Sequence, residues 1–201
     1  MELTWLGGGA VLARGREARV LINPPTDPSF LTALKGGVDL VVRCEGEANT
    51  LRPASGPQVL ARPGEYEVRG ITVRGVAVGE GVVFVCDVDE VGIGATGNLV
   101  TAVTEAEQDA LGKIDVLIIP VGGGPGPAPA AAARLVASLQ PSVVVPVQYA
   151  TGLLTEAGLE GLEPFASEMG LQQWTAQPKL TLTGSPGVTD ETRVVVLEPR
   201  R

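Results

Sequence analysis

The sequence contains no histidine. Histidine is the usual general base near neutral pH and the commonest zinc ligand in proteins. Its absence excludes a Ser-His-Asp triad, a Cys-His dyad and any zinc site built on imidazole. Cys44 and Cys86 are the two cysteines, too few for a four-thiolate site. Any chemistry must therefore rest on carboxylates, amides, hydroxyls, a single thiol or backbone groups.

Aromatic and basic residues are also scarce. Aromatic residues make up 3% of the chain, so no base-stacking platform is expected. Lys and Arg total 15 against 23 Asp and Glu, and the net charge of −8 repels a phosphate backbone. We therefore expect no nucleic-acid partner. Two cysteines do not make a disulfide framework, and we interpret both as reduced, buried thiols in a cytoplasmic protein.

Long apolar runs are missing as well. No stretch reaches the roughly 18 residues needed to span a bilayer, and we expect no membrane segment. The N-terminus lacks the basic region and apolar core of a signal peptide, so none is expected there. No linker is long enough to divide the chain, and residues 1–201 are predicted to form one domain.

Short apolar runs separated by glycine and proline dominate what is present. Thr104 and Glu107 form a capping-box pattern, which predicts a helix that ends near Leu111. The alternation of strands and helices in the second half indicates an α/β (α+β) domain with sheets inside and helices outside. Strands are predicted at 3–6, 10–13, 19–22, 38–42, 68–78, 82–85, 115–119, 142–147, 180–182 and 193–197, and two further helices at 130–139 and 160–169.

Five short motifs occur in order along the chain. They are TWLG at 4–7, VLINP at 20–24, PGEYE at 63–67, DVLIIPVGGG at 115–124 and VPVQY at 145–149. Together they resemble segments of the metallo-β-lactamase-fold hydrolases, specifically the small bacterial zinc-dependent hydrolase branch. The resemblance implies an αββα sandwich, in which two mixed β-sheets are flanked by helices.

The same resemblance places every metal-ligand position of the family on a residue that departs from it. A dinuclear zinc site needs imidazoles and a bridging carboxylate, so the hydrolytic mechanism of the family does not carry over. We assign no catalytic residue, no cofactor and no metal ligand. We call the eight substituted positions the vestigial pocket: Gly8, Glu45, Glu47, Asn49, Thr50, Ala95, Asn98 and Gln148.

These observations predict a catalytically inactive pseudo-hydrolase without zinc, acting as a binding, interaction or scaffold protein. Its partner is expected to be an unidentified protein or a second copy of the chain. One alternative stays open, because Glu45 and Glu47 at i, i+2 would share one face of an extended segment. Carboxylate and amide oxygens suit Mg²⁺ or Ca²⁺, and such a remodelled site would support a hydrolase.

Two other features of the sequence do not indicate a functional site. A neighbouring carboxylate raises a thiol pKa, so Cys44 beside Glu45 is interpreted as an ordinary buried residue. The glycine runs at 7–9 and 122–124 match neither common phosphate-binding motif.

Overall fold

Two β-sheets form the centre of the computed structural model, which describes residues 1–45, 56–152, 158–187 and 191–200. The first sheet has the strand order β12-β1-β2-β3-β4-β5. Its pairs are antiparallel from β12 to β3 and parallel from β3 to β5. The strands are β1 Glu2–Gly7, β2 Ala10–Arg14, β3 Arg19–Ile22, β4 Leu40–Val42, β5 Gln58–Leu60 and β12 Leu180–Thr181.

The second sheet has the order β13-β11-β10-β9-β8-β7-β6. It is antiparallel from β6 to β9 and parallel from β9 to β13, so both sheets are mixed. Its strands are β6 Gly64–Val68, β7 Ile71–Val78, β8 Gly81–Val88, β9 Val91–Ala95, β10 Val116–Pro120, β11 Val143–Val147 and β13 Arg193–Val194.

Four helices lie outside the sheets in the described part of the chain. They are α1 Pro28–Ala33, α2 Glu105–Leu111, α3 Pro129–Leu139 and α4 Glu163–Glu168. Helix α2 contacts β7 and β8, and α3 contacts β10 and α4. The capping box predicted at Thr104 and Glu107 is present, because each side chain accepts from the other residue's backbone N–H. None of these helices combines the length and apolar character that crossing a membrane requires.

A continuous apolar core fills the space between the sheets. Trp5 from the first sheet and Phe84 and Ile118 from the second are essentially inaccessible to solvent. Every residue of β10 and β11 is buried, since one face meets the core and the other lies under helices. The predicted class, two mixed sheets with flanking helices, is confirmed.

The structure corrects several predicted elements. The strand predicted at 68–78 begins later, as β7 at Ile71, because Arg69 and Gly70 have φ of +49° and +73° and form a tight turn between β6 and β7. The predicted helix at 160–169 is shorter, with α4 covering Glu163–Glu168. The strand predicted at 193–197 pairs only at Arg193–Val194, with an isolated bridge at Leu197.

Strands β5, β6 and β9 and helix α1 were not predicted from the sequence. Strand β9 reads VGIGA, in which glycines interrupt the apolar run that indicates a strand. A Cβ at Gly94 would lie 2.8 Å from a methyl carbon of Ile114, so the fold needs glycine there for close packing. That requirement depends on a long-range contact and leaves no local signal.

Candidate functional site

A cleft of about 650 Å³ opens where the carboxyl ends of parallel strands from both sheets meet. Four positions of the vestigial pocket line it: Gly8, Glu45, Asn98 and Gln148. Ala95 lies beneath the cleft and is buried at the end of β9. The remaining three positions, Glu47, Asn49 and Thr50, lie outside the described residues.

A chain of hydrogen bonds joins three of the cleft residues. The carboxylate of Glu45 accepts from both the backbone N–H and the side-chain amide of Asn98. The Oδ1 atom of Asn98 accepts from Nε2 of Gln148 at 2.9 Å. Glu45 follows β4 of the first sheet, whereas Asn98 and Gln148 follow β9 and β11 of the second. The chain of hydrogen bonds therefore links the two sheets across the cleft.

Two non-glycine residues of the cleft have left-handed backbone conformations. Asn23 has φ of +45° and Gln148 has φ of +52°. The backbone N–H of Cys44 donates to Oδ1 of Asn23 at 2.8 Å, and the N–H of Gln148 donates to the carbonyl of Gly8 at 3.0 Å. Such conformations persist where surrounding contacts hold them, and they concentrate at functional sites.

Trp5 and Tyr149 support the floor of the cleft. The indole Nε1 of Trp5 donates to the carbonyl of Gly8 at 2.8 Å, and the two aromatic rings lie 5.0 Å apart between centroids. Burial, together with the charge of Glu163, raises the pKa of Tyr149 to about 12. Tyr149 is therefore a neutral packing group at physiological pH.

Both cysteines are free and buried, as the sequence predicts. Burial raises the pKa of Cys44 to about 12, and the charge of Glu45 adds to the effect. The thiol of Cys44 donates to the carbonyl of Ala95 at 3.2 Å, below the cleft surface. Burial also raises the pKa of Cys86. Neither thiol is ionised near neutral pH, so neither is an activated nucleophile.

Arg43 is a cleft residue whose role the sequence did not reveal. Its Nη1 donates to the carbonyl of Pro24 at 3.0 Å and its Nη2 to that of Pro25 at 3.1 Å. Burial lowers the pKa of its guanidinium. The apolar residues that line the cleft are Leu6, Pro24, Pro25, Phe30, Ile118, Pro120 and Val147.

The donor atoms of the cleft do not fit the dinuclear zinc site that the fold family implies. Glu45 is the one acidic side chain among the described lining residues, and its carboxylate is bonded to Asn98. In the described ranges, no group of three or more His, Cys, Asp or Glu residues is arranged to hold a metal ion. Zinc binds thiolate, imidazole and carboxylate, and neutral amides do not replace them.

Comparison with known proteins agrees with this architecture. The family described as the β-lactamase superfamily domain matches residues 2–148. A candidate Zn-dependent hydrolase of the metallo-β-lactamase superfamily from Thermotoga maritima is 26% identical, with a TM-score of 0.79 over 99% of both chains. No curated protein matches the chain in sequence.

More distant structures share the fold. A metallo hydrolase from Ignicoccus hospitalis, Igni18, has a TM-score of 0.61 at 17% identity, over 90% of this chain and 98% of its own. The metallo-β-lactamase fold protein YhfI from Bacillus subtilis has a TM-score of 0.61 at 9% identity, over 98% and 96%. The two mixed sheets and the cleft at their strand ends thus define a metallo-β-lactamase fold. The chain belongs to the β-lactamase superfamily.

Gly97 offers a test of how tightly the cleft is built. Its φ is +55°, and a Cβ there would lie 2.5 Å from Cβ of Cys44 and 2.7 Å from Oε1 of Glu45. We expect Gly97→Ala to lower the free energy of unfolding by about 2–4 kcal/mol, because the methyl displaces Glu45 from Asn98. Urea unfolding and the side-chain amide NMR signal of Asn98 measure the two effects.

Gly37→Ala is the matched control for that substitution. Gly37 also has a left-handed φ of +71°, but nothing lies within 4 Å of its Cβ position. Its replacement should cost only the backbone penalty, about 1–2 kcal/mol. Equal costs for the two variants, with the Asn98 signal unmoved, would contradict the packing described for the cleft.

Proposed function

We propose that this protein is a zinc-free pseudo-hydrolase that uses the family cleft to bind a ligand. The observation that carries the proposal is the hydrogen-bond chain from Glu45 through Asn98 to Gln148. These side chains bond to one another, so three of the positions that the resemblance assigns to metal ligands are engaged in mutual contacts. The cleft beside them stays open at about 650 Å³, which is within the range of small-molecule sites.

Loss of the metal ligands removes the usual source of a reactive hydroxide. Without a bound cation, water keeps a pKa far above 7, and no ionised thiol replaces it. The described cleft contains no histidine and no activated nucleophile that would act in its place. Binding is therefore the chemistry that these residues support best.

The alternative hydrolase with a hard cation depends on Glu45 and Glu47. Both carboxylate oxygens of Glu45 already accept hydrogen bonds from Asn98, so a cation would compete with Asn98 for this carboxylate. Glu47 lies outside the described residues. The two proposals therefore differ in metal content, and one measurement separates them.

Elemental analysis of untagged protein, dialysed without chelator, should give far less than one Zn, Mg, Ca, Mn or Fe ion per chain. A zinc-loaded hydrolase of the family, prepared in the same way, is the positive control. The protein must carry no histidine tag, because a tag would add the imidazoles that the chain lacks. Titration with zinc by calorimetry should likewise show no stoichiometric site.

Near-stoichiometric metal in the dialysed protein would overturn the proposal. The hydrolase with a carboxylate-based site would then be favoured, and Glu45→Gln should lower both metal content and any turnover. Loss of metal without a change in fold, seen by circular dichroism, would place the cation at Glu45.

A protein partner or self-association stays a prediction. Val100, 65% exposed, and Trp174, 38% exposed, are the large apolar side chains most exposed in the described residues. Scattered apolar side chains are normal on a protein surface and indicate no interface by themselves.

A further inference from the structure

Arg43 is a cation of the cleft for which the described residues provide no acidic partner. No Asp or Glu of the described residues lies within salt-bridge distance of its guanidinium. A guanidinium has five N–H donors, and two of those of Arg43 are used by the carbonyls of Pro24 and Pro25. The side chain is half-buried, so its charge is partly removed from water. A partly desolvated cation is stabilised when an anion binds beside it.

The two proline carbonyls also fix where the charge lies. They hold both Nη atoms against the segment that follows β3, on the wall of the cleft. A guanidinium fixed in this way loses little conformational entropy when it binds a ligand. Three donors remain without a partner in the described chain, enough for a bidentate contact.

We propose that the cleft binds a small organic carboxylate, with its carboxylate group paired to Arg43 and its apolar part against the cleft wall. The planar fork of arginine matches the two oxygens of a carboxylate. The lining of the same cleft includes the apolar side chains of Leu6, Phe30, Ile118 and Val147. This inference rests on the proposed function, because it requires that the cleft is a binding site without zinc.

The charge of Glu45 favours a carboxylate ligand over a phosphate ligand. Glu45 lines the same cleft, and a doubly charged phosphate would meet its repulsion more strongly than a singly charged carboxylate. The net charge of −8 opposes the dianion further. Each oxygen of Glu45 accepts one hydrogen bond from Asn98 and retains a lone pair for a hydroxyl or amino group on the ligand.

Three probes that share a phenyl ring test the proposal: benzoate, its neutral analogue of the same shape, benzamide, and phenyl phosphate. NMR titration of ¹⁵N-labelled protein follows the side-chain amides of Asn98 and Gln148, which report binding in the cleft. Benzoate should shift these signals saturably with a Kd on the order of 1 mM, as expected for a fragment of this size. Benzamide and phenyl phosphate should bind at least about tenfold more weakly.

Variants of Arg43 test whether this residue binds the carboxylate of benzoate. Arg43→Gln should weaken benzoate binding about tenfold or more, and Arg43→Lys, which keeps the charge but loses the fork, should give an intermediate affinity. Arg134→Gln, on the exposed face of α3, should bind like the natural protein. Circular dichroism checks that each variant is folded, and the comparison of the three probes needs no variant.

Three results would overturn the inference: no saturable shift with benzoate, equal benzoate affinity in Arg43→Gln, or tighter binding of phenyl phosphate. None of these would put metal into the dialysed protein, so the proposed absence of zinc would survive them. Stoichiometric metal would instead overturn the proposed function, whatever the benzoate titration gives.

Discussion

Alanine in place of Trp5 is expected to lower the free energy of unfolding by about 3–5 kcal/mol. Trp5 is fully buried between the sheets, and its removal leaves a large cavity against Tyr149. It also removes the Nε1 hydrogen bond to the carbonyl of Gly8, which tethers the glycine turn at the cleft. Urea unfolding measures the loss.

Two comparison variants distinguish the loss of side-chain volume at Trp5 from the loss of its hydrogen bond to Gly8. Trp5→Phe fills most of the space but lacks the indole N–H, so it should cost less than Trp5→Ala while still disturbing the Gly8 turn. Trp174→Ala removes the same side chain at a site that is 38% exposed and should cost about 1 kcal/mol or less. A Trp5→Ala cost as small as that of Trp174→Ala would contradict the packing described here.

The second large effect is expected at Asp115. This carboxylate is 3% exposed and accepts from the N–H of Gly92 at 2.8 Å, from Oγ of Ser185 at 2.7 Å and from Nζ of Lys113 at 2.7 Å. We expect Asp115→Asn to lower the free energy of unfolding by about 2–4 kcal/mol, because the amide presents an N–H₂ group to a donor. Denaturant unfolding at pH 7 measures this loss.

The pH dependence of that loss follows from the pKa of Asp115. Burial alone would raise the pKa, but hydrogen bonds from Lys113, Ser185 and Gly92 outweigh it and hold the pKa below its usual range. The ionised form therefore contributes stability that is complete above the unfolded pKa near 3.9 and is lost as the pH falls through the folded value. The difference between the natural protein and Asp115→Asn should be largest above about pH 5 and shrink toward pH 2.

An exposed carboxyl provides the control for that prediction. Hydrogen bonds from the backbone and side chain of Thr104 lower the pKa of Glu107, which lies on the surface at the start of α2. Glu107→Gln should cost much less than Asp115→Asn, since solvent screens the site and Gln retains the capping contact. A pH-independent loss in Asp115→Asn would show that the carboxylate charge contributes nothing to stability.

Local sequence patterns correctly predicted the helices and strands whose conformation depends on their own residues. The apolar runs of β10 and β11 and the helix between them, α3, appear where they were predicted, as does the capping box at Thr104. Strand β9 escaped prediction because its glycines are required by contacts with other segments. The turn at Arg69 was not predicted either, because a non-glycine residue takes a left-handed conformation there.

The residues of the cleft were predicted from the family resemblance and not from local sequence patterns. The family resemblance placed Gly8, Glu45, Asn98 and Gln148 in one pocket, and these four residues do line a single cleft. Their pairing with one another is invisible in the sequence, because the residues lie on loops from different strands. The hydrogen bond from Cys44 to the Asn23 side chain and the bonds of Arg43 to the carbonyls of Pro24 and Pro25 also depend on how those loops meet.

The hydrogen bonds between Glu45 and Asn98 have an evolutionary consequence. The resemblance places an aspartate where this chain has Asn98, so one substitution would restore that ligand. Asp at 98 would remove the amide donor and set two carboxylates against each other with no cation between them. Restoring this one carboxylate is therefore expected to weaken the contact that joins the two sheets at the cleft.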